Sequence, residues 1–109
     1  MEEGMSLPEL SADERASALE KAGAARSERA EIKRRMKAGE IGMRELLSMD
    51  GEAVMRMRVI DAVRSMPGYG DARAHALLKR LRISERRRIR GLGARQRAAL
   101  VEEFGGDAS

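Results

Sequence analysis

The stretch Val63-Arg64-Ser65-Met66-Pro67-Gly68-Tyr69-Gly70-Asp71-Ala72-Arg73-Ala74 decides the fold of this 109-residue chain. An apolar helical pattern precedes it, and a second helical pattern follows it. Between the two patterns, Gly68 and Gly70 allow a tight turn that exposes successive amide groups. The stretch therefore predicts two helices joined by a short hairpin loop, residues 67–70.

The hairpin loop has the character of an anion site. Its amides lie at the N-terminus of the second helix, where the helix dipole also favours negative charge. Arg73, just inside that helix, is placed to support a bound phosphate. Because a Gly-x-Gly pattern alone is weakly specific, the alternative is a purely structural helix-hairpin-helix.

Charge is distributed unevenly along the chain. Residues 1–50 carry 9 Lys and Arg against 11 Asp and Glu, whereas residues 51–109 carry 13 against 7. The window 73–97 holds 10 basic side chains and a single acid, Glu85. This concentration of positive charge predicts a polyanionic partner, bound through the second half of the chain and released by salt.

A basic connector, residues 85–93, follows the second helix of the hairpin. Ile89 is expected to anchor it inward while the surrounding arginines point outward. Arginine suits bidentate phosphate contacts and insertion into a narrow groove, and the alternative is a solvated charge run. The predicted nucleic-acid-binding residues are Gly68, Gly70, Arg73, Arg87, Arg88, Arg90, Arg95 and Arg97.

Abundant helix formers without β-branched alternation predict an all-α fold. Ser11-Ala12-Asp13-Glu14 has the form of a capping box, and Gly39 supplies a stop. The predicted organisation is a flexible arm (1–10), a long N-terminal helix (11–38), a compact helix-hairpin-helix domain (39–106) and a frayed tail (107–109). Within the domain, helices are expected at about Met43–Met49, Glu52–Met66, Asp71–Arg82 and Ala94–Phe104.

The long helix has few large apolar residues, so part of it is expected to project from the body. Its C-terminal half places four basic residues along one face, at positions 26, 29, 33 and 37. This α1 stripe is either a solvated face or a second contact for DNA phosphates. Its members are Arg26, Arg29, Lys33 and Lys37.

Several classes of function find no support in the sequence. The chain has no cysteine and one histidine, His75, and it lacks phosphate-loop and nucleophile-elbow motifs. We therefore expect no enzyme, no cofactor and no metal site. Tyr69, expected to pack against the turn, and Phe104 are the sole aromatics, which favours duplex over single-strand binding. Without a secretory signal or a membrane span, the expected location is cytoplasmic.

Four segments resemble the actinobacterial type of integration host factor, a family unrelated in fold to the heterodimeric proteobacterial protein of that name. The most specific segment has the form Arg-Arg-x-Arg-Gly-Leu-Gly-x-Arg-Gln-Arg. The resemblance runs from about residue 5 to residue 106. The segments are Leu7-Pro8-Glu9-Leu10, residues 15–22, Met66-Pro67-Gly68-Tyr69-Gly70 with Arg73-Ala74, and residues 87–97.

The resemblance implies a long N-terminal helix attached to a helix-two-turn-helix domain similar to that of a small-subunit ribosomal protein. It implies a nucleoid-associated protein that binds duplex DNA with little sequence preference, bends or compacts it, and assists phage integrase. We expect a monomer. The family's contacts would fall on Gly68, Gly70 and Arg73 in the hairpin, and on Arg87, Arg88 and Arg90 in the connector.

The chain also departs from the family. Asp71 stands where a basic residue is common, so the affinity of the hairpin for phosphate is expected to be weaker. The segment 39–51 diverges as well. The alternative function is a structured-RNA or ribosome-associated binding protein, because the related ribosomal domain uses the same hairpin. A remnant of a repair glycosylase is the third reading, disfavoured because the chain leaves no room for a catalytic domain.

Overall fold

A long helix, α1 (Ala12–Lys37), opens the part of the chain described by the computed structural model, which is residues 11–105. The Ser11 hydroxyl accepts a hydrogen bond from the Glu14 amide at 3.1 Å, and the Glu14 carboxylate accepts one from the Ser11 amide at 2.8 Å. This reciprocal pair confirms the predicted capping box. The helix ends where Gly39 adopts a φ of +80°. The predicted arm (1–10) and tail (107–109) lie outside the described residues.

The N-terminal part of α1 packs against nothing in the body. Residues 11–22 are all exposed, and Ile32 and Met36 near the C-terminal end are the buried residues of the helix. The molecule is accordingly elongated, with extents of 60 × 27 × 24 Å. The expectation of a projecting helix is therefore confirmed.

Five shorter helices form the body, and the part of the chain that the structure describes contains no strand, so the all-α prediction is confirmed. Helix α1 packs on α3, α4 on α5, and α2 on α6. Ala74, fully buried between α4 and α5, lets the two helices approach closely. The five helices are α2 (Met43–Ser48), α3 (Glu52–Met55), α4 (Val59–Arg64), α5 (Asp71–Leu81) and α6 (Ala94–Glu103).

The single helix predicted over Glu52–Met66 is wrong. The chain breaks between α3 and α4, where Arg58 is extended with φ −75° and ψ 141°. The reason is long-range pairing, because Arg58 forms an antiparallel bridge with Arg88 of the connector. Two main-chain bonds of 2.9 Å make this bridge, from the Val59 amide to the Arg87 carbonyl and from the Ile89 amide to the Met57 carbonyl. A continuous helix would withhold these backbone groups from the connector.

Apolar packing in the core holds the connector to the body. Ile89 is fully buried and begins a short 3₁₀ turn, Ile89–Gly91, whereas the arginines around it are exposed. The prediction that Ile89 anchors the connector is therefore confirmed. Together with the bridge, this packing gives the exposed arginines a fixed backbone.

Arg97 holds the connector to the rest of the body. Its half-buried guanidinium donates to the carbonyls of Leu47 at 3.1 Å, Ile89 at 3.0 Å and Leu92 at 3.4 Å. One side chain thus satisfies carbonyls from the end of α2 and from both ends of the 3₁₀ turn. A buried or half-buried carbonyl that loses such a partner lowers the stability of the fold.

His75 on α5 makes a second link to the connector. Its Nδ1 lies 2.5 Å from a Glu85 carboxylate oxygen, and its Nε2 lies 3.3 Å from Asp71. The bond to Glu85 and, to a smaller extent, the contact with Asp71 raise the pKa of His75 above its ordinary value of 6.5. His75 therefore lies between two acids.

Replacing Arg97 with Met is expected to lower the free energy of unfolding by about 2 kcal/mol, because charged hydrogen bonds to three carbonyls are lost. Arg95→Met is the control, since Arg95 is exposed on the same helix and has no partner among the described residues. It should change stability by less than about 0.5 kcal/mol. Urea denaturation measures both. Equal effects of the two substitutions would refute the structural role of Arg97.

His75→Gln is expected to alter how stability depends on pH. The folded pKa of His75 is raised, so its contribution is fully present below the unfolded pKa of 6.5 and is lost as pH rises through the folded value. The melting temperature of the native protein should exceed that of the variant at acidic pH, and the gap should close as pH rises. A gap that widens with pH would contradict the ion pairs. Thermal melts of both proteins across this pH range measure the gap.

Candidate nucleic-acid interface

The hairpin loop is a rigid turn. Pro67 and Gly68 occupy its centre, Gly68 has a φ of +82°, and the Tyr69 amide donates to the Met66 carbonyl at 3.1 Å. This is the pattern of a type II turn, in which glycine is favoured at the third position. The loop therefore presents its backbone in one conformation.

Tyr69 points into the body. It is only 9% exposed, its hydroxyl donates to Glu103 at 3.2 Å, and its ring lies 4.8 Å from that of Phe104. Burial, with the nearby Glu103, raises the pKa of the phenol. The expected packing role of Tyr69 is confirmed.

Arg73 braces the hairpin from the first turn of α5. Its guanidinium lies 4.2 Å from the centre of the Tyr69 ring and donates to the Gly68 carbonyl at 3.2 Å. The stacking and the carbonyl bond fix the guanidinium beside the loop. No carboxylate within residues 11–105 lies within ion-pair distance of Arg73, although its charge helps to lower the pKa of Glu103. Arg73 thus combines a bracing contact with an exposed positive charge.

Gly70 directly precedes α5 and leaves open space beside the first turn of the helix. Its φ is −87°, a value that any residue adopts, and a Cβ at this position would meet nothing within 4 Å. No side chain caps the first amides of α5. The protein's own packing therefore does not require glycine here, while the uncapped amides offer donors to an external acceptor.

The acid beside these amides is largely neutralised by Arg64. Asp71 lies 2.6 Å from Arg64 and also contacts His75. Hydrogen bonding to Arg64 holds the pKa of Asp71 below its usual value. Arg64, in turn, bonds Asp61, and its carbonyl accepts a hydrogen bond from Lys37 at 2.9 Å. Sequence reasoning noticed Asp71 but missed Arg64, because the pairing partner lies across the hairpin.

The connector arginines are oriented mainly by main-chain carbonyls. Arg87 donates to the Gly91 carbonyl at 2.9 Å, and Arg88 donates to the Arg56 carbonyl at 2.6 Å. Arg90 differs, since its guanidinium contacts the Glu52 carboxylate at 3.3 Å. Carbonyls orient a guanidinium without cancelling its charge, so Arg87 and Arg88 keep uncompensated charges in fixed positions.

The remaining predicted residues divide between the exposed surface and the interior. Arg95 is exposed at the start of α6, close in sequence to the connector. Arg97 is turned inward onto three carbonyls, as described above, and its guanidinium donors are engaged there. The sequence pattern could not separate the two, because both follow the same basic run.

The α1 stripe and the connector meet on the same side of the body. Arg26 and Arg29 line one small cavity with Arg56 and Arg88, and Lys33 extends its rim. Lys37 lies apart, bonded to the Arg64 carbonyl near the base of the hairpin. The two predicted basic sets are thus partly joined through Arg56, which lies in the predicted 52–66 helix and was not among the predicted binding residues.

The arrangement suits the binding of anions. Among residues 11–105, no group of three or more histidine or acidic side chains could hold a metal ion. The same residues include no helix long and apolar enough to cross a membrane. Exposed amides and uncompensated guanidinium groups are donors that phosphate oxygens accept well.

Comparison with known proteins identifies the family. Residues 36–104 match the S13-like H2TH domain model. The chain is 45% identical to the integration host factor of Streptomyces coelicolor over 96% of its length and 100% of that protein. It is 43% identical to the integration host factor of Mycobacterium tuberculosis, covering 93% of this chain and 98% of that protein.

A solved structure of sIHF bound to an 8-bp palindromic DNA has the same fold. It superimposes with a TM-score of 0.76 at 44% sequence identity, covering 79% of this chain and 99% of that one. The fold, the domain match and the near full-length identity agree. The chain therefore belongs to the integration host factor family of the Streptomyces and mycobacterial proteins, and it carries an S13-like H2TH domain.

Proposed function

We propose that this protein is a non-enzymatic, nucleoid-associated protein that binds duplex DNA with low sequence specificity. The observation that carries the proposal is the pair Arg87 and Arg88, uncompensated by carboxylates and fixed on a backbone bridged to the core. A relative of the same fold is bound to DNA. Positive charge held on a rigid frame is what a phosphate backbone selects.

The hairpin supplies one phosphate contact. The open amides beyond Gly70 each donate a hydrogen bond to a phosphate oxygen, and Gly68 sets the turn that presents them. Arg73 adds its charge beside the loop. The paired state of Asp71 reduces the repulsion that its bare carboxylate would exert on that phosphate.

The connector supplies the other contact. Arg87 and Arg88 reach the backbone of the duplex, with Arg90 and Arg95 beside them, across the minor groove. Arg97 serves the fold rather than DNA, because its donors are engaged. Phosphate contacts carry no sequence information, so weak sequence preference follows.

The α1 stripe is a second contact region for DNA. Arg26 and Arg29 face the connector side, with Lys33 near them, whereas Lys37 lies by the base of the hairpin. A duplex that touches both the body and α1 must curve, and bending or compaction would result. Assistance to a phage integrase would follow from this bending of the DNA. We propose that the protein acts as a monomer and that it is located in the cytoplasmic nucleoid.

A structured-RNA binder is the second candidate. The match to an S13-like domain favours it, because such a domain resembles a ribosomal protein. The aromatic side chains do not separate the two, since Tyr69 is buried against Phe104 and offers no face to a base. Competition between equal lengths of duplex DNA and folded RNA distinguishes them, and stronger capture by RNA would overturn the DNA proposal.

Arg87→Ala with Arg88→Ala is expected to weaken duplex binding by roughly tenfold or more at low salt, since two phosphate contacts are lost. The slope of log affinity against log salt should fall by about 2. Lys79→Ala with Arg82→Ala is the matched control, because it removes two exposed charges from the body outside the proposed contacts. Fluorescence anisotropy measures both. The connector role fails if the two pairs weaken binding equally.

Gly70→Ala and Gly68→Ala are expected to separate binding from stability. Gly68→Ala should lower the free energy of unfolding by about 1 kcal/mol, because alanine resists a φ of +82°. Gly70→Ala should leave stability within about 0.5 kcal/mol, since its Cβ meets nothing. Gly70→Ala should nonetheless weaken duplex binding, because the added methyl group narrows the space through which a phosphate reaches the α5 amides. Unchanged affinity of Gly70→Ala would argue against a phosphate at this helix end.

A further inference from the structure

The boundary between α1 and the body contains a basic cleft that the hairpin and connector contacts do not explain. We define the α1 cleft by its six basic side chains, three from α1 and three from the body. They are Arg26, Arg29, Lys33, Arg56, Arg58 and Arg88. From these residues we propose that the α1 cleft is a binding site for a free oligophosphate, a small anion with two or more linked phosphate groups.

The first support is the absence of compensating charge. Within residues 11–105, no carboxylate lies within ion-pair distance of the three α1 side chains, of Arg58 or of Arg88. The acid on the rim, Asp61, is bonded to Arg64. Five uncompensated cations around one concavity repel one another, and an anion with several charges relieves that repulsion.

The second support is that the body wall is fixed. Arg88 is pinned by its 2.6 Å bond to the Arg56 carbonyl and by its backbone bridge to Arg58. The Arg56 side chain is steadied by Glu52 at 3.5 Å. A guanidinium held in place before binding loses less conformational freedom when a ligand arrives.

The third support is size. The part of the cleft that Ala22 and Ala25 line has a volume of about 240 Å³. The adjoining part toward Lys33 has a volume of about 220 Å³. Sites for drug-sized molecules occupy about 300–1,000 Å³, so each part alone suits a smaller group, and the two adjoining parts suit linked groups. Linked phosphates fit this description, whereas a duplex is far too wide to enter and could touch only the rim.

The identity of the side chains points to the same chemistry. Five of the six cations are arginines, whose planar forks bind two phosphate oxygens at once. The small side chains of Ala22 and Ala25 line the cleft beside Arg26 and Arg29. The site is separate from the hairpin amides, but it shares Arg88 and the α1 side chains with the proposed connector and α1 contacts for DNA.

The test titrates the full-length protein with sodium tripolyphosphate at constant ionic strength, followed by calorimetry. One equivalent should bind. Arg26→Gln with Arg29→Gln removes the α1 wall and Arg56→Gln alters the body wall, and each should weaken binding by roughly tenfold. Circular dichroism confirms that the variants stay folded.

Lys21→Gln with Arg34→Gln is the matched control, since it removes the same charge from the same helix outside the cleft. It should weaken binding less than about threefold. If the control and the cleft variants weaken binding equally, the attraction is diffuse and the site is overturned.

A parallel titration with duplex DNA keeps the two proposals apart. If tripolyphosphate fails to bind while duplex affinity depends on Arg26 and Arg29, the cleft receives phosphates only from DNA and the oligophosphate site is overturned. Loss of duplex binding by the native protein would instead refute the proposed function. Specific tripolyphosphate binding would still support the cleft in that case.

Discussion

Two main-chain hydrogen bonds of 2.9 Å join the break between α3 and α4 to the connector, and the rest of the surface depends on them. They hold Arg58 against Arg88 and set Ile89 into the core. Because neither segment is a regular helix at this point, each has backbone groups that would otherwise be unpaired. The bridge satisfies these groups and fixes a highly charged segment that would be mobile without it.

Main-chain carbonyls orient the important arginines. Arg73 bonds the Gly68 carbonyl, Arg87 the Gly91 carbonyl and Arg88 the Arg56 carbonyl. A carboxylate in any of these places would orient the guanidinium equally well but would cancel its charge. Arg90, paired to Glu52, shows that alternative within the same connector. These guanidinium groups are thus held in fixed positions and still keep their positive charge, which favours binding of a polyanion.

Acidic residues pair with basic side chains around the hairpin more than in the α1 cleft, where Arg56 is the paired cation. Asp61, Asp71 and Glu85 engage Arg64 and His75, which link α4, α5 and the connector. The opposite holds beside α1, where Arg26 and Arg29 find no acid in the described part of the chain. The two regions therefore differ in electrostatic character, although both lie on one small body.

The amino-acid sequence by itself determined the helical class, the long capped first helix and the hairpin, because these follow from local rules: the capping pair of Ser11 and Glu14, helix propensity, and the glycine at a positive φ. It also determined that Ile89 would anchor a basic segment. Tertiary structure alone decided where the 52–66 segment breaks, that Arg97 turns inward, and that Arg56 meets the α1 stripe. Those outcomes depend on contacts between residues about 30 or more positions apart, such as Arg88 with Arg56 and Arg97 with Leu47, which no local pattern encodes.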